Sequence, residues 1–577
     1  MKSGWAHSTC LALPGLWHLD LINRTAYALP QDFRSESGEC SVIASFTVDG
    51  IVDEKPMTSH ETCYQAVLAR DPRFDGRFFV AVKTTGVYCR PICPARPKRE
   101  NVEFFKTAQA AEKAGYRPCL RCRPEAAPGS PAWNGKHATV ERALKLIAQG
   151  ALEQQTEEAF ADRLGMTGRH LRRLFEQEFG QTPKQLHDNA RLNFARKLIM
   201  ETHLPMTEIA FSAGFHSLRR FNDAVKRRFH RPPSALRSLL KSAQPPQMIQ
   251  LSLPYRPPFA WDGVLDYYRR HHIDGLETIG ADTYARVFRL GGTDTTGFFR
   301  ASVHDHKPEL LLEMTISDRR HLLRAVHRIR QMFDLDSDPV LMAQAFVRST
   351  FLSSLQGTYP GARLVRGFDP FETAIGTILG QVISVTCASR LMGQLVATYG
   401  EKIVHPVSGE PVRIFPTPRI LAESNLQGLK VTRQKRTAIR EFSSRVADGS
   451  IQLEPAQDLD DFRRVVQTVK GIGAWSAEYM ALRALGDTDA FPATDLVLQR
   501  FMQVTPNFNP DAARPWRGYL AVYLWNEYGH GSHQERKTRH AGLHIHRLSN
   551  WQTQAGGRRS GSHRGALAQR PAASHQA

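Results

Sequence analysis

The sequence lacks any long apolar segment. No run of about eighteen apolar residues occurs along its 577 residues, so we predict no membrane span. The N-terminal stretch LALPGLWHLDLI is short, and charged and polar residues follow it at once, so no signal peptide is predicted either. Cysteine is scarce, and eight residues are too few for a scaffold held together by disulfide bonds. We therefore expect a cytoplasmic protein in which clustered cysteines indicate metal or redox chemistry.

Acidic residues are outnumbered by basic ones. The chain has 56 aspartates and glutamates against 76 lysines and arginines, which gives a net charge of +20. Such a surplus favours a polyanionic partner, and nucleic acid is the first candidate. A basic protein without that partner would have the same composition, so charge alone does not decide. The length predicts roughly three to five domains.

Four of the eight cysteines form two close pairs. Cys89 and Cys93 lie in YCRPICPAR, and Cys119 and Cys122 lie in YRPCLRCRP. Two such pairs, separated by a predicted strand and a short helix, let two turns bring four thiolates to tetrahedral positions around Zn²⁺. Two unrelated thiol pairs, or a disulfide couple, are the alternatives. The spacing and a reducing compartment favour the zinc site.

An internal repeat lies between two linker-like segments. A shift of fifty residues pairs Thr167 with Ser217 and Pro183 with Pro233. Each copy is typical of a helix-turn-helix, and the apolar stripe of the second copy includes Leu218. The polar residues predicted to reach DNA are Arg169, His170, Arg172, Arg173, Arg219 and Arg220. A basic amphipathic helix is often only a solvated surface, but two joined copies favour DNA binding.

Two motifs in the C-terminal half indicate a DNA contact and an acid. In TVKGIGAWSAEYMALRAL, Gly471 and Gly473 allow a tight hairpin whose backbone N–H groups can approach a phosphate. In DAFPATDLVLQRF, Asp495 directly precedes an apolar helix. An ordinary helix turn and an ordinary helix N-cap are the alternatives.

The first cysteine region resembles the N-terminal domain of the Ada family, sensors of DNA alkylation. The stretches FDGRFFVAVKTTGVYCRPICPAR, RENVEFF and AGYRPCLRCRPE carry the resemblance. It implies that Cys89 is both a zinc ligand and the irreversible acceptor of a methyl group from a methylated DNA phosphate. Methylation would make the site less negative and thereby strengthen DNA binding. We expect the flanking cations to face phosphate: Arg90, Arg96, Lys98, Arg121 and Arg123.

Residues 137–240, including LPMTEIAFSAGFHSLRRFNDAVKRRF, resemble an AraC-type DNA-binding domain. From about residue 249 to 528 the chain resembles the AlkA branch of the helix-hairpin-helix glycosylases, on LGQVISVTCASRL, GIGAWSAEYMALRAL and PWRGYLAVYLWN. That resemblance implies Asp495 as the catalytic carboxylate and Val382 as the wedge that fills the stack when a base is flipped out. It implies an aromatic base pocket formed by Tyr267, Trp475, Tyr479 and Trp516, although core packing remains an alternative for each aromatic residue.

Two departures from family patterns refine the expected activity. Strand-cutting relatives carry a hairpin lysine where this chain has Trp475, so we expect a monofunctional glycosylase that leaves an abasic site. Complete Ada proteins contain a Pro-Cys-His-Arg motif that this sequence lacks, so we expect no second methyltransferase activity.

The predicted fold class is multidomain and mainly α, with small α+β parts. The predicted segments are a leader (1–56), a small zinc-bound α/β module (57–126), a linker (127–136), an all-α AraC-type double helix-turn-helix (137–240), a linker (241–248), an AlkA-like α+β subdomain (249–350), an all-α helix-hairpin-helix glycosylase domain (351–530) and a basic disordered tail (531–577).

The expected partners are alkylated double-stranded DNA and a promoter sequence, with RNA polymerase as a further candidate and no membrane. Two rival interpretations stay open on the sequence alone. One is a transcription factor whose glycosylase half binds DNA without catalysis. The other is a zinc module that only stabilises the fold.

Overall fold

The computed structural model describes residues 59–537 with several gaps, of which 125–139 and 239–247 are the longest. The predicted leader and first linker, nearly all of the second linker and the tail beyond residue 537 therefore lie outside the described residues. Within the described part, no helix is both long and apolar enough to cross a membrane.

The cysteine module is a four-stranded sheet with two helices. Its elements are α1 (His60–Ala69), β1 (Phe79–Val82), β2 (Val87–Cys89), β3 (Val102–Phe105), α2 (Ala108–Lys113) and β4 (Arg117–Pro118). The strand order is β3-β1-β2-β4, in which β1 is antiparallel to β2 and β3, and β4 is parallel to β2. Ser59 and Thr107 cap the two helices with their side-chain oxygens. Phe78, Val80 and Phe104 form its core together with the cysteines.

The next region is helical and repeats one unit. Its helices are α3 (Ala151–Gln154), α4 (Glu157–Arg163), α5 (Gly168–Phe179), α6 (Pro183–Glu201), α7 (Met206–Ser212), α8 (Leu218–Phe229) and α9 (Pro233–Arg237). The repeat is visible in matching positions, since Thr167 and Ser217 cap α5 and α8, and Pro183 and Pro233 begin α6 and α9. One predicted core residue differs. Leu218 is 39 % exposed because it opens α8, one turn before the buried stripe begins at Phe221.

A five-stranded antiparallel sheet follows. Its elements are β5 (Ile249–Pro254), α10 (Trp261–Arg270), β6 (Glu277–Ile279), β7 (Thr283–Arg289), β8 (Thr296–Val303), β9 (Glu309–Ile316) and α11 (Leu322–Met332). The strand order is β5-β9-β8-β7-β6. Its core is continuous with that of the second helix-turn-helix copy, because Leu198 and Phe229 belong to the same buried cluster as Leu251 and Phe299.

The C-terminal region is predominantly helical. Its helices are α12 (Pro339–Phe346), α13 (Thr350–Thr358), α14 (Pro370–Gly380), α15 (Val385–Tyr399), α16 (Pro418–Glu423), α17 (Arg433–Ala447), α18 (Leu459–Val466), α19 (Ala474–Met480), α20 (Leu496–Val504) and α21 (Arg517–Lys537). It is not all-α as predicted, because β10 (Glu401–Val404) and β11 (Pro411–Ile414) form an antiparallel hairpin. Helix α21 also continues to Lys537, past the predicted start of the tail at residue 531.

Ion pairs dock the cysteine module on the sheet region. Arg77 makes two hydrogen bonds to the carboxylate of Asp338, at 2.8 and 2.9 Å. Arg256, which is buried, donates from Nε to the backbone oxygen of Asp75 at 3.0 Å and lies 3.5 Å from Asp338. The cysteine module is therefore held against the part of the chain that precedes the C-terminal helices.

Candidate functional site

The four predicted ligand cysteines meet at one edge of the small sheet. Cys89 ends β2, and Cys119 directly follows β4. Because β2 and β4 are parallel neighbours, their carboxyl ends lie side by side. Cys93 and Cys122 return toward them in tight turns. The four Sγ atoms all lie within 4.8 Å of one another.

This geometry fits a tetrahedral metal ion. Thiolates about 2.3 Å from zinc stand about 3.8 Å apart, so four sulfurs at these separations need little adjustment. None of these four cysteines is disulfide-bonded in the structure, which agrees with a metal site rather than with a disulfide couple. Hydrogen bonding to Cys119 raises the pKa of Cys89, whereas hydrogen bonding to Cys122 lowers the pKa of Cys119. A divalent cation would relieve this unequal sharing of protons by holding all four sulfurs as thiolates.

The cations around the cluster divide into two kinds. Arg90 does not face phosphate as predicted, since it is buried, its Nε donates to Asp75 at 2.7 Å and its Nη1 donates to the backbone oxygen of Cys122 at 3.3 Å. The Arg90 side chain points inward because the carboxylate of Asp75 and the backbone oxygen of Cys122 accept its hydrogen bonds there. Arg96, Lys98 and Arg121 are exposed. Arg123 lies outside the described residues.

Both second helices of the repeat present basic side chains to solvent. The exposed residues are Arg169, His170, Arg172, Arg173, Arg219 and Arg220. Arg172 differs from the others because its guanidinium bonds Glu157 at 2.6 Å and Glu158 at 2.7 Å on α4. Its charge is therefore neutralised within the protein, which was not foreseen from the sequence.

The glycine hairpin connects α18 and α19. Gly471 has φ of +100°, which favours glycine. Gly473 is extended and is the N-cap residue that precedes α19, and a Cβ added there would meet nothing within 4 Å. An open approach at the start of a helix suits an anionic group such as a DNA phosphate.

Val382 lies in an unusual backbone conformation beside that hairpin. Its φ is +60°, which is strained for a β-branched residue, and its side chain is fully exposed. The side-chain amide of Gln381 donates to the backbone oxygen of Gly471 at 2.9 Å and to Oγ of Ser476 at 2.8 Å. The strained turn is thus held against the hairpin, and strain that is held in this way indicates a functional position.

Asp495 caps α20 and also lines a cavity. Its Oδ1 accepts hydrogen bonds from the backbone N–H groups of Val497 at 3.0 Å and Leu498 at 3.3 Å. The indole N–H of Trp525 also donates to Oδ1, at 3.1 Å, and that of Trp475 donates to Oδ2, at 3.2 Å. Three donors occupy Oδ1 and one occupies Oδ2, so Oδ2 keeps more acceptor capacity.

The carboxylate opens on an aromatic cavity of about 770 Å³. Its lining includes Tyr267, Trp475, Tyr479 and Trp525. The rings of Trp475 and Tyr479 stack with centroids 5.1 Å apart, and Trp525 follows at 5.9 Å from Tyr479.

Trp516, which was predicted for the pocket, is not among the residues that line it. Its ring packs on Tyr519 at 5.9 Å. Trp516 precedes the first residue of α21, whereas Trp525 lies within that helix, where it faces Asp495. The sequence analysis named Trp516 and did not name Trp525, although both stand in PWRGYLAVYLWN.

These features define a multidomain DNA-binding protein with a four-cysteine metal module, a double helix-turn-helix and a helix-hairpin-helix unit that presents an acid over an aromatic cavity. Family models match residues 62–125 as the metal-binding domain of Ada, 160–238 as a helix-turn-helix domain and 250–369 as the AlkA N-terminal domain. The chain belongs to the family of bifunctional Ada/AlkA transcriptional activator and DNA repair proteins.

Three relatives illustrate the relationship. The chain is 38 % identical over 489 residues to the "Probable bifunctional transcriptional activator/DNA repair enzyme AlkA" of Mycobacterium tuberculosis. The aligned part covers 82 % of this chain and 97 % of that protein. It is 28 % identical over 286 residues to "DNA-3-methyladenine glycosylase 2" of Escherichia coli, across 48 % of this chain and 97 % of that protein. It is 43 % identical over 157 residues to Escherichia coli "Bifunctional transcriptional activator/DNA repair enzyme Ada", across 26 % of this chain and 42 % of that protein. The four cysteines are accordingly a Zn²⁺ site.

Proposed function

We propose that this protein repairs alkylated DNA and regulates transcription in response to the damage. It excises alkylated purines of the 3-methyladenine and 7-methylguanine type at the aromatic cavity, and it accepts a methyl group from a DNA phosphotriester at Cys89. The observation that carries the enzymatic part is Asp495, which lines the cavity and accepts hydrogen bonds from four N–H donors. The domain boundaries predicted above, and contact with RNA polymerase, stay predictions.

The carboxylate of Asp495 suits the chemistry of this reaction. An alkylated purine already carries positive charge, so its bond to the sugar breaks with the electron pair on the base, and the base leaves neutral. Positive charge then develops on the sugar. A carboxylate that is already oriented stabilises that charge electrostatically. Oδ2, which has the spare acceptor capacity, is the oxygen that we assign to the sugar.

The hairpin and the wedge bring the base to the cavity. A base inside a duplex cannot reach this cavity, so it must be flipped out of the stack. We assign the exposed side chain of Val382 to the vacated position, and the open space at Gly473 leaves room for the phosphate backbone. Trp475 supplies no amine, so the product is an abasic site with an intact strand.

Cys89 is assigned by resemblance and chemistry together. Bound zinc would keep the cysteine sulfur as a thiolate at neutral pH. The sulfur of Cys89 forms a bond to the methyl carbon as the carbon–oxygen bond of the phosphotriester breaks, leaving an ordinary phosphodiester. Cys89 is only 4 % exposed, whereas Cys119 and Cys122 are more exposed. Exposure alone would therefore not select Cys89.

The test uses one preparation of the full-length protein and two readouts. Duplex containing 7-methylguanine should lose the free base, and duplex containing methyl phosphotriesters should leave one methyl group on the peptide that contains Cys89. Chromatography detects the base, and mass spectrometry detects the peptide. Absence of base release would reject the glycosylase, and methylation of a different cysteine would reject the acceptor assignment.

Val382→Gly is expected to slow base release without destabilising the fold. Glycine removes left-handed strain of about 1–2 kcal/mol and introduces an entropy cost of about 0.5–1 kcal/mol, so the free energy of unfolding should stay the same or rise slightly. Base release should fall because nothing fills the stack. Single-turnover kinetics and chemical denaturation measure the two effects.

Val404→Gly is the matched control for this change. Val404 is also an exposed valine, but it lies in β10 with ordinary backbone. Its replacement should lower the free energy of unfolding by about 0.5–1 kcal/mol and leave base release unchanged. Equal stability losses in both variants would contradict the strain assigned to Val382.

Arg172→Ala is expected to weaken DNA binding less than Arg169→Ala does. Arg172 already pairs with two glutamates on α4, whereas Arg169 makes no ion pair among the described residues. Loss of a phosphate contact lowers the salt dependence of binding by about one unit of slope. Affinity measured over a salt series should show that change for Arg169→Ala only. The reverse order would place Arg172 on the DNA.

A further inference from the structure

Arg483 lies at the base cavity without a role in the reaction described so far. It belongs to a π-helical turn, Ala481–Leu485, that directly follows α19. Such turns are rare and often occur at functional sites. Arg483 is only 4 % exposed, and it lines the same cavity as Asp495.

The contacts of Arg483 leave its charge uncompensated within the described residues. Its guanidinium carbon lies 4.7 Å from the ring centre of Tyr267 and 5.2 Å from that of Trp525. Nη1 donates to the backbone oxygen of Val365 at 2.6 Å, while Nε is buried and has no hydrogen-bond partner there. Among the described ion pairs, none includes Arg483.

The other buried ionisable groups of the cavity add no second uncompensated cation. Glu277 and Glu372 share the guanidinium of buried Arg286, at 3.4 and 2.8 Å, and burial raises the pKa of Glu372 to about 7, so these three groups together carry at most one net negative charge. Burial lowers the pKa of His271 to about 4, and the charge of Arg483 adds to this effect, so the imidazole is neutral at physiological pH.

The remaining charged residues at the cavity are also accounted for. Asp262, Asp266 and Arg270 are exposed to solvent, which screens them. Arg363 donates to backbone carbonyls, including that of Pro258 at 2.8 Å, and its charge faces Asp334. Among the described residues that line the cavity, Arg483 is therefore the buried cation that no carboxylate faces.

We infer that Arg483 is a specificity-determining residue that sets the electrostatic potential of the base cavity. This inference rests on the proposed glycosylase function. Arg483 repels a base that enters as a cation, and this repulsion falls as the base becomes neutral. Asp495 attracts the sugar as positive charge arrives there. The two residues together favour the transfer of positive charge from the base to the sugar, after which water adds to the sugar carbon and releases a proton.

The inference separates cationic from neutral lesions. For 7-methylguanine, the charge of Arg483 weakens binding of the ground state and lowers the barrier to cleavage. For a neutral lesion such as hypoxanthine, the charge of Arg483 leaves ground-state binding nearly unchanged. It stabilises the negative charge that develops on the departing base. Removing the charge should therefore slow both reactions but tighten binding only of the cationic base.

The experiment compares Arg483→Met with Arg483→Lys. Affinity is measured with duplexes whose lesion carries a 2′-fluorine, which prevents cleavage by destabilising the sugar cation, and rates are measured with the normal nucleosides under single turnover. Arg483→Met should bind the 7-methylguanine duplex on the order of tenfold more tightly, and cleave it on the order of tenfold more slowly. Its affinity for the hypoxanthine duplex should change less than about threefold. Arg483→Lys, which keeps the charge, should retain the wild-type pattern of affinities.

Several outcomes would overturn the inference. Equal loss of affinity for both lesions, or an Arg483→Lys variant whose affinities match those of Arg483→Met, would indicate a purely structural role. If Arg483→Met does not fold, the test uses the affinities of the wild-type protein for the two duplexes. Wild-type binding of the cationic lesion on the order of tenfold more tightly than the neutral one would exclude an effective repulsion by Arg483. If the wild-type protein releases no base from either duplex, the proposed glycosylase function fails, and that result is distinguishable from a failure of the inference alone.

Discussion

Asp495→Asn should lower the single-turnover rate of 7-methylguanine release by about 10²–10³-fold and change duplex affinity by less than about threefold. Asparagine has nearly the same shape but no negative charge, so it cannot stabilise the cation that develops on the sugar. Its oxygen can still accept from Val497, Leu498 and Trp525, which keeps the helix cap. Its amide nitrogen then faces the indole N–H of Trp475, so we expect a stability loss of only about 1 kcal/mol.

Asp369→Asn is the matched control for that prediction. Asp369 caps α14 in the same manner, since its Oδ1 accepts from the backbone N–H groups of Phe371 at 2.8 Å and Glu372 at 3.2 Å. It does not line the cavity that contains Asp495. The control should therefore release base at the wild-type rate. Release by Asp495→Asn at the wild-type rate would reject the role of this carboxylate, and absence of release by the wild-type protein would favour a transcription factor with an inactive glycosylase half.

Removal of zinc should abolish methyl acceptance by Cys89. The four sulfurs share one small cluster, and hydrogen bonding to Cys119 raises the pKa of Cys89, so without metal Cys89 stays a poorly nucleophilic thiol at neutral pH. The cysteines are also part of the core of the module, so metal loss should destabilise that module. The measurement is the methyl content of the Cys89 peptide after incubation with methyl phosphotriester DNA, before and after treatment with a chelator.

Two other cysteines serve as internal controls for the zinc experiment. Burial raises the pKa of Cys63 to about 11, and this thiol lies in the same core without joining the cluster. Cys63→Ala should therefore keep both zinc and methyl acceptance. Cys387 is exposed and should remain unmethylated unless alkylation is unspecific. Two results would contradict the prediction. One is methyl transfer to Cys89 after complete metal removal. The other is a zinc-loaded protein that accepts no methyl group, which would favour a zinc module that only stabilises the fold.

The sequence predicted those parts of the structure that depend on residues only a few positions apart. The paired cysteines indicated the metal cluster because the two cysteines of each pair are close in sequence. Only the approach of one pair to the other depended on the tertiary structure. The fifty-residue shift predicted equivalent helix starts, and Thr167 and Ser217 are both N-caps. Asp495 was expected either as a cap or as a site residue, and in the structure it caps α20 and also lines the cavity.

Two predictions that the structure does not support concern side chains whose surroundings come from distant segments. Arg90 was expected at the surface, but Asp75 and the carbonyl of Cys122 hold it inside. Trp516 was named for the pocket and Trp525 was not, because a motif does not show which of its tryptophans faces a residue thirty positions earlier in the chain.

The sequence by itself determined the order of the modules, the metal ligands and the acid, because each depends on residue type and on contacts a few positions apart. Only the tertiary structure decided the chemistry around them. It placed the indole donors on Asp495, brought Trp525 into the cavity lining and set the guanidinium of Arg483 against the rings of Tyr267 and Trp525. The physical reason is that hydrogen bonds and electrostatic fields act between atoms that are close in space, and the chain brings such atoms together from segments separated by more than two hundred residues.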